Sequence, residues 1–128
     1  MGLVHTVITL KNAGDIFNAG RGIIKEPEIR QTTVAGMVDT RAAVLIINDP
    51  ICRSLGLSIE NSYEAQFANG KKQVYSCTEA VQILWKNRKI IMRAVLIPGA
   101  DHAILGAIPV DDLYMVATPY RQKLKLLQ

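Results

Sequence analysis

The sequence predicts a mainly β protein: a small closed or partly closed barrel carrying one short helix. Three observations carry that expectation. Val4 to Leu10 alternates, with Val4, Thr6, Ile8 and Leu10 on one face, the period of a half-buried strand. Short β-rich runs recur over 29–38, 42–47, 80–85 and 90–97, broken by Gly, Pro, Asn and Asp. Between the extended segments 63–67 and 73–77 lies Ala68-Asn69-Gly70-Lys71, and Asn-Gly is the favoured two-residue hairpin turn, since both central positions need positive φ.

Taken in order, Val4 to Leu10 is the first strand, and Asn12 to Gly22, with three glycines, reads as a loop. Ile29 to Val38 runs straight into Asp39, and Ala42 to Ile47 has the continuous apolar character of a strand buried on both faces. The short helix follows: Asn48 or Asp49 caps it, Pro50 suits its first position and Gly56 its C-terminal end, with Ile51 and Leu55 pointing inward. The polar hairpin comes next, then strands over 80–85 and 90–97 and a short one ending in Ile104-Leu105-Gly106. Pro109 to Leu113 suits a single helical turn, and Met115–Ala117 and Lys123–Leu127 read as terminal strands.

The chain of 128 residues is expected to form one domain, without linker, repeat or low-complexity segment. No apolar run reaches the length of a membrane span, so no membrane partner is expected. The start lacks the layout of a secretory signal, which favours a cytoplasmic location. Cys52 and Cys77 fit no zinc spacing and read as small core residues. The net charge of +4 is uneven: residues 1–64 hold six basic against seven acidic side chains, residues 65–128 nine against four. The basic groups are scattered over turns and a tail with few aromatics between, so a solvated surface is expected rather than a nucleic-acid interface. His5 and His102 have no second ligand near them in sequence, and Asp15, Asp49, Asp101 and Asp111-Asp112 read as turn, cap or helix-start residues. Phe67 and Trp85 read as packing residues. No phosphate loop, metal motif or Ser/His/Asp arrangement occurs.

Asp39 is the residue that asks for an explanation. It stands inside an apolar stretch, Val34-Ala-Gly-Met-Val-Asp-Thr-Arg-Ala-Ala-Val-Leu-Ile-Ile47, where a lone carboxylate is costly unless it is paired or hydrogen-bonded. One explanation is local: Asp39 ends a strand and accepts bonds from nearby backbone N–H groups, as Asp does in turns. The other is chemical.

The order of motifs resembles the retropepsin-like aspartic proteases, the bacterial members above all. The matching pieces are Met37-Val38-Asp39-Thr40, Ile51-Cys-Arg-Ser-Leu-Gly-Leu57, Phe67-Ala-Asn-Gly-Lys71 and Ala94-Val-Leu-Ile-Pro-Gly99. They continue with Ile104-Leu-Gly-Ala-Ile-Pro-Val-Asp-Asp-Leu113 and Thr118-Pro-Tyr-Arg-Gln122, so the likeness covers roughly 30–126. The resemblance implies a retropepsin-type barrel, half of a site completed in a homodimer, and a peptide or protein substrate. It also implies a water activated between two copies of Asp39, with no cofactor and no metal. In such a pair one carboxylate takes a proton from the attacking water and the other donates to the peptide carbonyl. By the same resemblance Thr40, with Arg41 and Ala42, supports the Asp loop, Thr40 bonding across the dimer. Ala68, Asn69 and Gly70 form the tip of a flap over substrate. Ile104, Leu105 and Gly106 pack behind the loop, and the terminal strands interleave between the two copies.

Arg41 departs from the family pattern, which has Gly after Asp-Thr or Asp-Ser. Arginine adds bulk beside the cleft and a charge that does not titrate. A cation within ~4–6 Å lowers a carboxylate pKa by about 1–3 units, which would hold both Asp39 residues ionised. Three functions follow as expectations: an aspartic endopeptidase that tolerates Arg41, a silent pseudoenzyme that binds peptides or partners as a dimer, or an unrelated β domain docking through its basic half.

Overall fold

In the computed structural model, which describes residues 4–66, 69–118 and 123–126, a ring of strands closes on itself. The strands are β1 (Val4–Asn12), β2 (Gln31–Val38), β3 (Leu45–Ile47), β4 (Ile59–Gln66), β5 (Lys72–Trp85), β6 (Arg88–Leu96) and β7 (Ala103–Leu105). Their order is β1-β2-β7-β3-β6-β5-β4, and β1 also pairs β5 through Thr9–Asn12 against Val81–Leu84. Six strands therefore form a closed barrel, as the sequence led one to expect, and β4 hangs from β5 outside the ring. Two pairings are parallel, β2 with β7 and β3 with β6.

Alternation decides what fills the barrel. Val4, Ile8 and Leu10 of β1 turn inward, as do Val38, Leu45, Ile47, Val81, Ile83 and Leu105, and all are buried. Full burial of such side chains contributes about 1.5–3 kcal/mol each. Thr6, the polar member of the inward row, accepts a hydrogen bond from Trp85 Nε1 at 2.9 Å, which satisfies the buried indole. In β3 only Leu45 and Ile47 are fully buried while Ile46 faces outward half-exposed, so the run 42–47 is not a strand buried on both faces.

The helix foreseen at 49–55 is α2 (Asp49–Leu55). Asn48 caps it, its side chain accepting from Ile51 N at 3.1 Å, Pro50 sits in the first turn, and Gly56 ends it in the left-handed region at φ 61°. The presumed loop 12–22 is instead a helix, α1 (Ala13–Gly20). Asn12 Oδ1 accepts from Asp15 N at 3.0 Å as its cap, and Asn12 Nδ2 donates to Leu55 O at 2.8 Å, tying α1 to the end of α2. Glycine disfavours a helix by about 1 kcal/mol. That penalty is offset here by the cap and by buried Asp15, whose carboxylate takes Arg30 Nε and Nη2, each at 2.9 Å, and Arg30 N at 3.0 Å. A short 3-10 helix, Glu26–Glu28, lies between the two partners.

The segments 73–77 and 80–85 prove to be one strand, β5, long enough to serve both barrel and hairpin. It bends where its register against β6 shifts between Cys77 and Ala80, and Thr78 Oγ1 there accepts from Ala94 N at 3.2 Å. The hairpin register pairs Gln66 with Lys72, so the connection runs over 67–71 and is longer than a two-residue turn. Phe67 and Ala68 fall outside the described residues. α3 (Ala107–Asp112) begins two residues before the expected turn, and β8 (Met115–Thr118) pairs antiparallel with β9 (Lys123–Leu126) within one chain. Among the described residues no helix is long and apolar enough to cross a membrane.

Candidate active site

β2 and β7 run side by side and present their C-terminal ends together, which sets the loop after β2. Val38 lies opposite Leu105, and Asp39 N donates to Leu105 O at 3.0 Å. The loop 39–44 closes on itself through Ala42 N to Asp39 O at 3.1 Å. It is then pinned from behind by three backbone bonds: Gly106 N to Val44 O at 3.0 Å, Ala107 N to Ala42 O at 2.8 Å and Ile108 N to Ala43 O at 2.9 Å. A side chain at Gly106 has no room, since a Cβ would stand 2.5 Å from Val44 O and 2.7 Å from Ala42 O. Leu105 is fully buried beneath the loop, whereas Ile104 points the other way, outward and opposite Ile46.

Asp39 is held from its own loop. Arg41 Nε donates to Oδ1 and Nη2 to Oδ2, both at 2.8 Å, and Arg41 N donates to Oδ1 at 3.1 Å. The Asp39 side chain is only 15% exposed, while that of Arg41 is 80% exposed. The Arg41 side-chain bonds hold the Asp39 carboxyl below the usual carboxylate range, against the opposing effect of partial burial. The same contact raises the Arg41 guanidinium. The local explanation for Asp39 holds: it ends a strand and accepts a turn N–H, and Arg41 adds an ion pair. Thr40 is exposed in the turn, and Ala42 is half-buried.

The loop faces the hairpin stem across a groove of about 340 Å³. Arg41, Ala42, Val44 and Ile46 line one side, and Tyr63 and Tyr75 line the hairpin side. Tyr63 and Tyr75 are direct cross-strand partners. Asn69 and Gly70, at the exposed end of the hairpin, are not among the lining residues; Asn69 Oδ1 accepts from Lys71 N at 3.0 Å, and Gly70 has φ 83°. Ala68 is outside the described residues. The two tyrosines were not singled out from sequence, although strand alternation and a hairpin centred near Asn69 put them on one face. The groove is thus largely apolar and is edged by a guanidinium that is itself seated on a carboxylate.

No family model matches the chain, and no curated protein matches it either. Similar solved structures are retropepsin-like, at low identity. They include a retropepsin-like aspartic protease from Rickettsia conorii, at 9% identity over 88% of this chain and 82% of that one, with a TM-score of 0.49. The simian foamy virus (mac) protease is 14% identical over 74% of this chain and 90% of that one, with a TM-score of 0.47. The foamy viral protease–reverse transcriptase, solved with an RNA/DNA hybrid, is 16% identical over 76% of this chain, with a TM-score of 0.49; this chain spans 11% of its length.

Proposed function

We propose that the chain is one half of a homodimeric aspartic endopeptidase-type site, with Asp39 as the group that handles the water proton and Arg41 as a latch upon it. The observation that carries this reading is the three-bonded Arg41–Asp39 contact at the edge of an apolar groove. Hydrolysis between paired carboxylates needs one of them protonated. An arginine seated on each favours the state in which both are ionised, so the latched form binds peptide without cleaving it. Arg41 is mostly exposed and can swing out, which would free Asp39 for catalysis. A permanently silent, peptide-binding dimer is the second reading, favoured by the two side-chain bonds through which Arg41 takes up both carboxylate oxygens of Asp39.

Peptide cleavage measured from about pH 3 to 7, the range over which carboxyl pairs titrate, separates the readings. Cleavage by the unchanged chain that Asp39→Asn abolishes supports a working endopeptidase. Cleavage only by Arg41→Gly supports the silent dimer. No cleavage by either, with a monomer in sedimentation, contradicts both.

A further inference from the structure

We propose that His5 and His102 together form a two-imidazole site for a tetrahedral divalent metal of the zinc class. The fold brings them together from opposite ends of the sequence: His5 lies opposite Met37, Met37 lies opposite Ile104, and His102 immediately precedes β7. The ring centroids are 5.4 Å apart, with the planes at 80°.

That separation is the one a shared metal requires. An imidazole lone pair points along the line from ring centroid through nitrogen. With a metal–nitrogen distance of about 2.0–2.1 Å, the metal stands about 3.2 Å from each centroid, and angles of about 109–120° then set the centroids about 5.2–5.5 Å apart. Turning either ring about its Cβ–Cγ bond leaves its centroid nearly in place, so the rings can be re-aimed from their edge-to-face contact while the separation is kept. Both residues are exposed, and this rotation is broad and weakly opposed. Imidazole suits nickel, copper and zinc better than magnesium or calcium. Among the described residues no group of three or more His, Cys, Asp and Glu could hold a metal, so water would complete the coordination and leave the site open.

The position is distinct from Asp39 yet shares its side of the barrel. His5, Met37, Ile104 and Ile46 are successive register partners on the outward face, and Ile46 lines the groove beside Arg41. The pair thus stands at the far end of an outward row that begins in the groove.

Zinc is the suitable probe, because it takes tetrahedral angles and is not redox-active, whereas copper would oxidise the free, partly exposed Cys77. Calorimetric titration of the untagged full chain with Zn²⁺ at neutral pH should show one site per chain. Both His5→Gln and His102→Gln should weaken it about tenfold or more, since each removes half of a chelate. Unmetallated variants should melt as the unchanged chain does, because both positions are exposed. Absence of saturable binding overturns the proposal. Binding that survives in either variant does so too, including binding lost only in His5→Gln, which would mark an amino-terminal chelate.

Discussion

Arg41 grips both carboxylate oxygens of Asp39, each at 2.8 Å, from a position two residues downstream in the same turn. The charge of Asp39 is therefore already balanced within one chain. Because the contact lowers the Asp39 pKa in the folded state, its stabilisation is present above the unfolded carboxylate value of about 3.9 and is lost as pH falls through the folded value. Arg41→Ala should melt below the unchanged chain at neutral pH, with the gap closing in acid. A gap that stays constant with pH would mean the loop is held by something other than this ion pair.

Asp15 and Arg30 make the second bidentate pair, and it is structural. Their contact joins α1 to the start of β2 and lowers the Asp15 pKa through the Arg30 side chain, partial burial opposing. Hydrogen bonds to charged groups contribute about 1.5–3 kcal/mol, and the half-exposure of Arg30 places this pair toward the lower end. Asp15→Asn should cost about 1–2 kcal/mol in urea unfolding at neutral pH. The difference should shrink as pH falls below about 4 and through the lowered Asp15 value, because the native carboxylate must then protonate.

Gly106 is required for space and not for its backbone angle, since its φ of −78° suits any residue. A Cβ would press on Val44 and Ala42 backbone atoms that cannot rotate away. Gly106→Ala should cost about 1–3 kcal/mol, the range for overpacking against fixed structure. Urea unfolding measures it. A cost below about 0.5 kcal/mol, typical of neutral surface changes, would mean the Asp loop is not braced by α3.

Tyr63 and Tyr75 give the hairpin side of the groove its contact area. Tyr63→Ala and Tyr75→Ala, made in an Asp39→Asn background to prevent turnover, should each weaken an apolar peptide about three- to tenfold, as loss of an aromatic contact does. Fluorescence anisotropy of a labelled peptide reads this directly. Unchanged affinity in both variants would remove the groove from the peptide path.

Local signals were legible in the sequence where one short motif sets the geometry. Asn48, Pro50 and Gly56 bounded α2 because caps and φ preferences act within a few residues. Ile104-Leu105-Gly106 could be placed as a short strand and its end for the same reason. Across the chain, legibility failed. α1 was missed because the three glycines between Asn12 and Gly22 favour a loop, and the Arg30 that secures Asp15 lies beyond the reach of any local pattern. The hairpin connection was misjudged because register is set by pairing along the whole of β4 and β5, not by Asn69-Gly70 alone. His5 and His102 meet only through two strand pairings. For Asp39, sequence supplied both the acid and the cation; that Arg41 folds back onto the carboxylate while staying largely exposed is a fact of side-chain geometry.

The most direct measurement is an NMR titration of the Asp39 carboxyl carbon in the unchanged chain and in Arg41→Gly, with Asp39→Asn identifying the signal. In the unchanged chain Asp39 should titrate below the ordinary carboxylate range, and in Arg41→Gly it should move up. Equal values in the two proteins would contradict the latch and leave Arg41 a bystander at the edge of the groove.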